Sequence, residues 1–122
     1  MARILIADDE AIISLALGML LEDEGHEVAT ASDGRAALVM ARDTPPDLLI
    51  TDYMMPVMDG VELIAALRRD EALRGLPIIL SSAIPEPVVR ARTNGFDAFV
   101  QKPASEAAML AAVQDLLAGR RE

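Results

Sequence analysis

The chain contains no cysteine, which excludes a disulfide framework, a thiolate zinc site and a cysteine nucleophile. That absence is compatible with a reducing cytoplasm, and the protein is read as cytoplasmic. No long apolar run is present either. Met1-Ala2-Arg3 leads into a short hydrophobic stretch that breaks at Asp8, too short for a signal-peptide core or a membrane span, so no membrane insertion is expected. Clustered positive charge is also missing. The basic residues are scattered and the formal net charge is −9, which disfavours direct contact with nucleic acid, where phosphate electrostatics dominate. Of the 11 basic residues only Lys102 is a lysine, and the one histidine is His26. Internal repeats, low-complexity tracts and linkers are absent as well.

What remains is an ordinary globular composition, 52% hydrophobic and 25% charged, far from the disordered class. The length of 122 residues is that of one domain, residues 1–122, with a single core.

Short apolar runs alternate with helical stretches. Arg3 to Ala7 reads as a strand buried on both faces and ending at Asp8-Asp9-Glu10, acids that suit the start of a helix. Ala11 to Glu24 is helical in composition, and Gly25 supplies its stop. Glu27 to Ala31 is a second strand; Asp33 caps a helix through Arg42; Thr44-Pro45-Pro46 breaks it before a third strand, Asp47 to Thr51. Asp59-Gly60 reads as a turn, and Val61 to Arg69 repeats at a helical period. Ile78 to Ser81 forms a fourth strand. A helix opens at Pro87 as its first residue and runs to Asn94-Gly95, Ala98 to Gln101 is a fifth strand, and a last helix spans about Ser105 to Ala118. The charged tail Arg120-Arg121-Glu122 is expected to fray. Five strands alternating with five helices call for a parallel sheet covered on both faces.

In such a sheet the carboxyl ends of the strands share one rim, where ligands bind. They present Asp8 and Asp9, Asp52, Ser82 and Lys102 there. Each has a duller reading alone: Asp8 and Asp9 as helix caps, Asp52 as a turn acid, Lys102 as a product of genomic composition. Together, three carboxylates repel by about 4 kcal/mol per pair at ~4 Å and an effective dielectric near 20. They therefore call for a cation, and oxygen donors without histidine or thiolate favour magnesium or a similar divalent ion.

The set resembles the receiver domain of two-component response regulators. The resemblance covers the whole length: a strand ending in Asp8-Asp9, Asp52 with Met55-Pro56 and Asp59-Gly60 downstream, Ser81-Ser82-Ala83 after the fourth strand, and Lys102-Pro103 after the fifth. It implies a flavodoxin-like doubly wound (βα)5 fold with sheet order 2-1-3-4-5. By the same carry-over, Asp52 is the phosphoacceptor. Asp9 and Asp52 bind Mg²⁺ directly, Asp8 through water, and the Met54 carbonyl completes the ligands. Lys102 pairs with Asp52 and then with a phosphoryl oxygen. The donor is a sensor histidine kinase or a histidine phosphotransfer protein. Ser82 and Phe99 form the switch, and a downstream protein reads the surface of helix four, strand five and helix five.

Phe99 serves equally well as a core residue, and it lacks the hydroxyl that many relatives carry there. Ala104 departs from a frequent phenylalanine. The protein is read as a phosphoacceptor with self-catalysed transfer and dephosphorylation, not as a conventional turnover enzyme. Two alternatives stay open, a magnesium-dependent aspartyl-phosphate phosphohydrolase and a pseudo-receiver that only binds partners. The haloacid dehalogenase type of phosphohydrolase places its nucleophile in an Asp-x-Asp pattern on the first strand, whereas here Asp8 and Asp9 are adjacent and the isolated acid is on the third.

The first helix is apolar on too many sides for one core stripe. If Ile13, Ala16, Leu17, Leu20 and Leu21 face the sheet, Ile12, Leu15 and Met19 form a second face, expected to dock on the histidine-bearing helices of a phosphodonor. His26 is expected at the surface, away from the rim.

Overall fold

The computed structural model describes residues 1–120; Arg121 and Glu122, two of the three tail residues expected to fray, lie outside the described residues. Ten elements alternate: β1 (Arg3–Ala7), α1 (Ala11–Asp23), β2 (Glu27–Ala31), α2 (Gly34–Asp43), β3 (Leu48–Asp52), α3 (Gly60–Arg69), β4 (Ile78–Ser82), α4 (Glu86–Arg90), β5 (Ala98–Gln101) and α5 (Glu106–Arg120). The strands form one parallel sheet in the order β2-β1-β3-β4-β5, as expected. β3 and β4 are buried almost throughout, because a central parallel strand is covered on both faces and so consists of apolar residues at successive positions.

Two cores result. One packs Leu5, Leu49, Ile78 and Leu80 against Leu63, Ile64 and Leu67 of α3. The other packs Ile4, Ile6, Leu48, Ile50 and Ile79 against Leu21 of α1 and Met109 and Val113 of α5. At roughly 1.5–3 kcal/mol for each fully buried aliphatic side chain, these residues supply the main driving force that keeps the strand ends in register.

Several helix boundaries differ from the sequence expectation, each for a local reason. Asp59-Gly60 is the start of α3: Asp59 Oδ1 accepts from the Glu62 amide at 2.9 Å while Glu62 Oε1 accepts from the Asp59 amide at 3.1 Å, a reciprocal capping box. α1, by contrast, stops at Gly25 as expected, in a Schellman arrangement with the Gly25 amide donating to the Glu22 carbonyl, the His26 amide to the Leu21 carbonyl, and Gly25 at φ +89°. α4 is only five residues long and starts at Glu86, with Pro87 second. Its continuation to Gly95 does not form. The Gly95 amide turns onto Thr93 Oγ1, and the Gly95 carbonyl accepts from Arg68.

The buried stripe of α1 is also rotated. Ser14, Gly18 and Leu21 face inward, with Gly18 set against Val28; Ile13, Leu17 and Leu20 are half-buried and Ala16 is exposed. Small residues let the helix approach the sheet closely. Ile12, Leu15 and Met19 are exposed at 83%, 65% and 58%, so the second apolar face exists as expected. His26 is half-buried, since its Nδ1 accepts from the Ala2 amide at 3.1 Å.

Candidate functional site

Asp52 is the last residue of β3, between β1 and β4, and its Oδ1 accepts from the Tyr53 amide at 2.8 Å. The loop behind it is held at close quarters. The Gly60 amide donates to the Tyr53 carbonyl at 2.9 Å, and a Cβ at Gly60 would collide with the Asp52 carbonyl oxygen; the Gly34 amide donates to the Met58 carbonyl at 3.0 Å, and a Cβ there would collide with that carbonyl. Val57 within the loop has φ +69°, a region that costs a β-branched residue energy. The Met58 amide donates back to the Pro56 carbonyl at 2.7 Å around it, closing a tight turn.

Lys102 follows β5 and reaches across the rim. Its Nζ lies 3.0 Å from Asp8 Oδ2, 3.4 Å from Asp52 Oδ1 and 3.9 Å from Glu10 Oε1. Carboxylate oxygens of Asp8, Glu10 and Asp52 all fall within 4.8 Å of one another. Asp8 is 6% exposed; its Oδ1 also accepts from the Glu10 amide at 2.9 Å, and its carbonyl accepts from the buried Ser14 hydroxyl at 3.4 Å. Burial, opposed by Lys102 and reinforced by the charge of Asp8, raises the Asp52 carboxyl above its ordinary value. For Lys102, burial pulls downward, but the hydrogen bond it donates to Asp8 and the charges of Asp52 and Asp8 outweigh it, and the ammonium is raised.

Three carboxylates and one ammonium leave a net charge of −2 in this cluster. The charge and the all-oxygen donor set fit a hard divalent cation. Asp8, Asp52 and Lys102 are brought together as expected. Asp9 is exposed and outside the group of mutually close ligand atoms, while Glu10, which sequence reasoning treated only as an acid at a helix start, is inside it. Being the third acid in a row directly after β1 was the available signal. Met54 is 57% exposed beside the rim.

Ser82 ends β4, 2% exposed, and its Oγ accepts from the Ile84 amide at 2.9 Å, while its carbonyl accepts from the Lys102 amide at 2.8 Å. Phe99 is half-buried, pairs in register with Leu80, and meets Phe96 at 6.0 Å between ring centroids, tilted by 50°. Between α1 and α5 a cleft of about 510 Å³ runs from Asp8, Asp52 and Lys102 along Leu17, Ala104 and Met109. Among the described residues no helix is long and apolar enough to cross a membrane.

Known proteins resemble this chain in sequence and fold. The curated relatives include the DNA-binding dual master transcriptional regulator RpaA of Synechocystis, 36% identical over 121 residues, which are 96% of this chain and 49% of that protein. Another is the phosphate regulon transcriptional regulatory protein PhoB of Rhizobium meliloti, 38% identical over 117 residues, 94% of this chain and 52% of that protein. The chain thus spans about half the length of these relatives. Among solved structures, the receiver domain of a signal transduction histidine kinase from Syntrophus aciditrophicus superposes with a TM-score of 0.91 at 32% identity, covering 98% of this chain and 92% of that one. The chemotaxis protein CheY4 of Vibrio cholerae gives 0.90 at 32% identity, covering 95% and 98%. The model of the response regulator receiver domain matches residues 4–114, and with the parallel 2-1-3-4-5 sheet and the acid rim already described, the chain belongs to that family.

Proposed function

We propose that this receiver domain takes a phosphoryl group onto Asp52. The observation that carries this reading is the meeting of Asp8, Glu10 and Asp52 within 4.8 Å around the lone lysine. Receiver domains of response regulators pair with histidine kinases and generally bind Mg²⁺. Here the donor is a phosphohistidine on a sensor kinase or a phosphotransfer protein. Asp8, Asp9 and Asp52, with the Met54 carbonyl and with Glu10 nearby, would hold the ion, which supplies positive charge against the phosphoryl oxygens.

The chain's own residues do the rest. Asp52 Oδ attacks phosphorus, the N–P bond breaks, and the imidazole leaves with the bonding electron pair. Phosphoryl transfer of this kind needs positioning and charge neutralisation more than covalent assistance. Lys102 stands ready to neutralise one equatorial oxygen, because its ammonium already lies 3.4 Å from Asp52. Once phosphate is attached, the Ser82 hydroxyl, now accepting from Ile84, turns to donate to it. Phe99 repacks into the space so freed, and the surface of α4, β5 and α5 shifts in population toward the form a downstream protein binds. With a net charge of −9, no nucleic-acid contact is assigned to this domain; RpaA is a DNA-binding protein over a length twice this one.

Intact mass after incubation with acetyl phosphate and Mg²⁺ tests the assignment. Wild type should gain one phosphoryl group and Asp52→Asn none. Failure of wild type to react, or reaction that survives in the variant, would overturn it.

A further inference from the structure

Arg92 lies just past the end of α4, and its guanidinium touches both ends of the loop that follows Asp52. One nitrogen, Nη1, donates to the Tyr53 hydroxyl at 3.0 Å; Nη2 lies 3.7 Å from Asp59 Oδ2; and Cζ stands 5.5 Å from the centre of the Tyr53 ring. Tyr53 and Asp59 are not incidental partners. Tyr53 is 5% exposed and its amide donates to Asp52 Oδ1, whereas Asp59 caps α3. Between them lie Met54, whose carbonyl is a proposed ligand, and Val57 at φ +69°.

A loop holding a strained residue keeps its shape only where its surroundings over-determine it. On one side Gly34 and Gly60 do so through the Met58 and Tyr53 carbonyls. On the side facing α4, Arg92 is the side chain that bridges both ends. An exposed ion pair alone would contribute little, but here the same group also binds a buried phenol, and a charge-assisted hydrogen bond is about twice as strong as a neutral one. α4 itself buries only Val89, so this contact adds to the few that seat the helix.

We propose that Arg92 is a positioning residue for the phosphoacceptor: a clip that fixes the loop from Tyr53 to Asp59 and couples it to α4. Its effect on magnesium rests on the proposed function; the clip itself does not. Displacement of α4 by a partner would then loosen the loop, and a change in the loop would reach α4 without passing through Ser82 and Phe99.

The test compares wild type with Arg92→Met, Arg92→Lys and Arg90→Met. Arg90 is the control, since it is the last residue of α4, two positions before Arg92, but pairs with Glu86 at 2.6 Å and stacks over Phe96. Amide exchange is followed in metal-free protein, and Mg²⁺ titrations are followed by the fluorescence of Tyr53, the sole tyrosine in a chain without tryptophan. Exchange in residues 53–59 and 86–93 should rise roughly fivefold in Arg92→Met, the scale of one ordinary hydrogen bond, because the half-exposed guanidinium is screened by water. Arg92→Lys should recover part of it, Arg90→Met should leave 53–59 unchanged, and exchange in β3 should stay slow in all, showing an intact fold. The Mg²⁺ dissociation constant should rise about threefold or more in Arg92→Met. Unchanged exchange in 53–59, or an equal rise in Arg90→Met, overturns the clip. Raised exchange together with no Tyr53 response to Mg²⁺ in wild type upholds the clip and overturns the magnesium reading instead.

Discussion

Lys102 sits closer to Asp8, at 3.0 Å, than to Asp52, at 3.4 Å. Before any phosphoryl group arrives, the lysine is thus anchored by the most buried acid of the rim and only shared with the proposed nucleophile. Lys102→Met would leave Asp8 buried without its counter-charge. We expect a loss of about 2 kcal/mol in urea unfolding of the metal-free protein, below the ~3–5 kcal/mol of a fully buried pair because the site is partly open to water. Added Mg²⁺ should restore part of the loss. A variant as stable as wild type would show that the lysine carries no structural charge balance.

Asp52→Asn should stabilise the metal-free protein at neutral pH. The folded Asp52 carboxyl is raised above 3.8, chiefly by burial, so the folded state holds its proton more tightly than the unfolded chain. That contribution is complete below the unfolded value and is lost as pH rises through the folded value. At pH 7 the ionised carboxylate is therefore a net destabiliser, and asparagine removes it while Lys102 keeps Asp8 and Glu10. The variant's advantage in melting temperature should shrink as pH falls toward 3.8. An advantage independent of pH would refute the electrostatic origin.

Val57→Gly should raise stability by about 0.5–1 kcal/mol. The left-handed conformation costs a non-glycine residue roughly 1–2 kcal/mol, and glycine's extra chain entropy returns only part of that. Val57 is 75% exposed, so no core packing is lost. Urea unfolding decides it, and a less stable variant would mean that the turn is not strained.

Leu15→Asp should cut transfer from a phosphorylated histidine kinase by tenfold or so while leaving acetyl phosphate labelling and the melting temperature unchanged. The leucine is 65% exposed, so a charge there disturbs a docking face and not the core. Equal loss with both donors would sink the docking role of the Ile12, Leu15 and Met19 face.

The strands were legible because β1, β3 and β4 open as apolar runs that give way to polar residues at Asp8, Thr51 and Ser81, and the rim residues followed from those stops; their order in the sheet followed only from the family resemblance. The orientation of α1 was not legible: with apolar residues on nearly every side, periodicity names no inward face, and the inward side carries Ser14, which donates to the Asp8 carbonyl, and Gly18, which sits against Val28. The length of α4 was hidden for another reason. Beyond its end the chain is held by Arg68 reaching from α3 to the Gly95 carbonyl, a contact between residues 27 positions apart that no local pattern records. Glu10 was overlooked because an acid beside a helix start already has a sufficient local explanation in the helix dipole.

The position of Asp52 at the tip of the central strand has a mechanical consequence. β3 is hydrogen-bonded on both sides, to β1 and β4, and its backbone cannot shift without dragging the middle of the sheet along. The acid is therefore mounted on a fixed post. Were a phosphoryl group added there, any displacement would be taken up by the loops around it, which makes the sheet the frame of reference and the surrounding surface the dial.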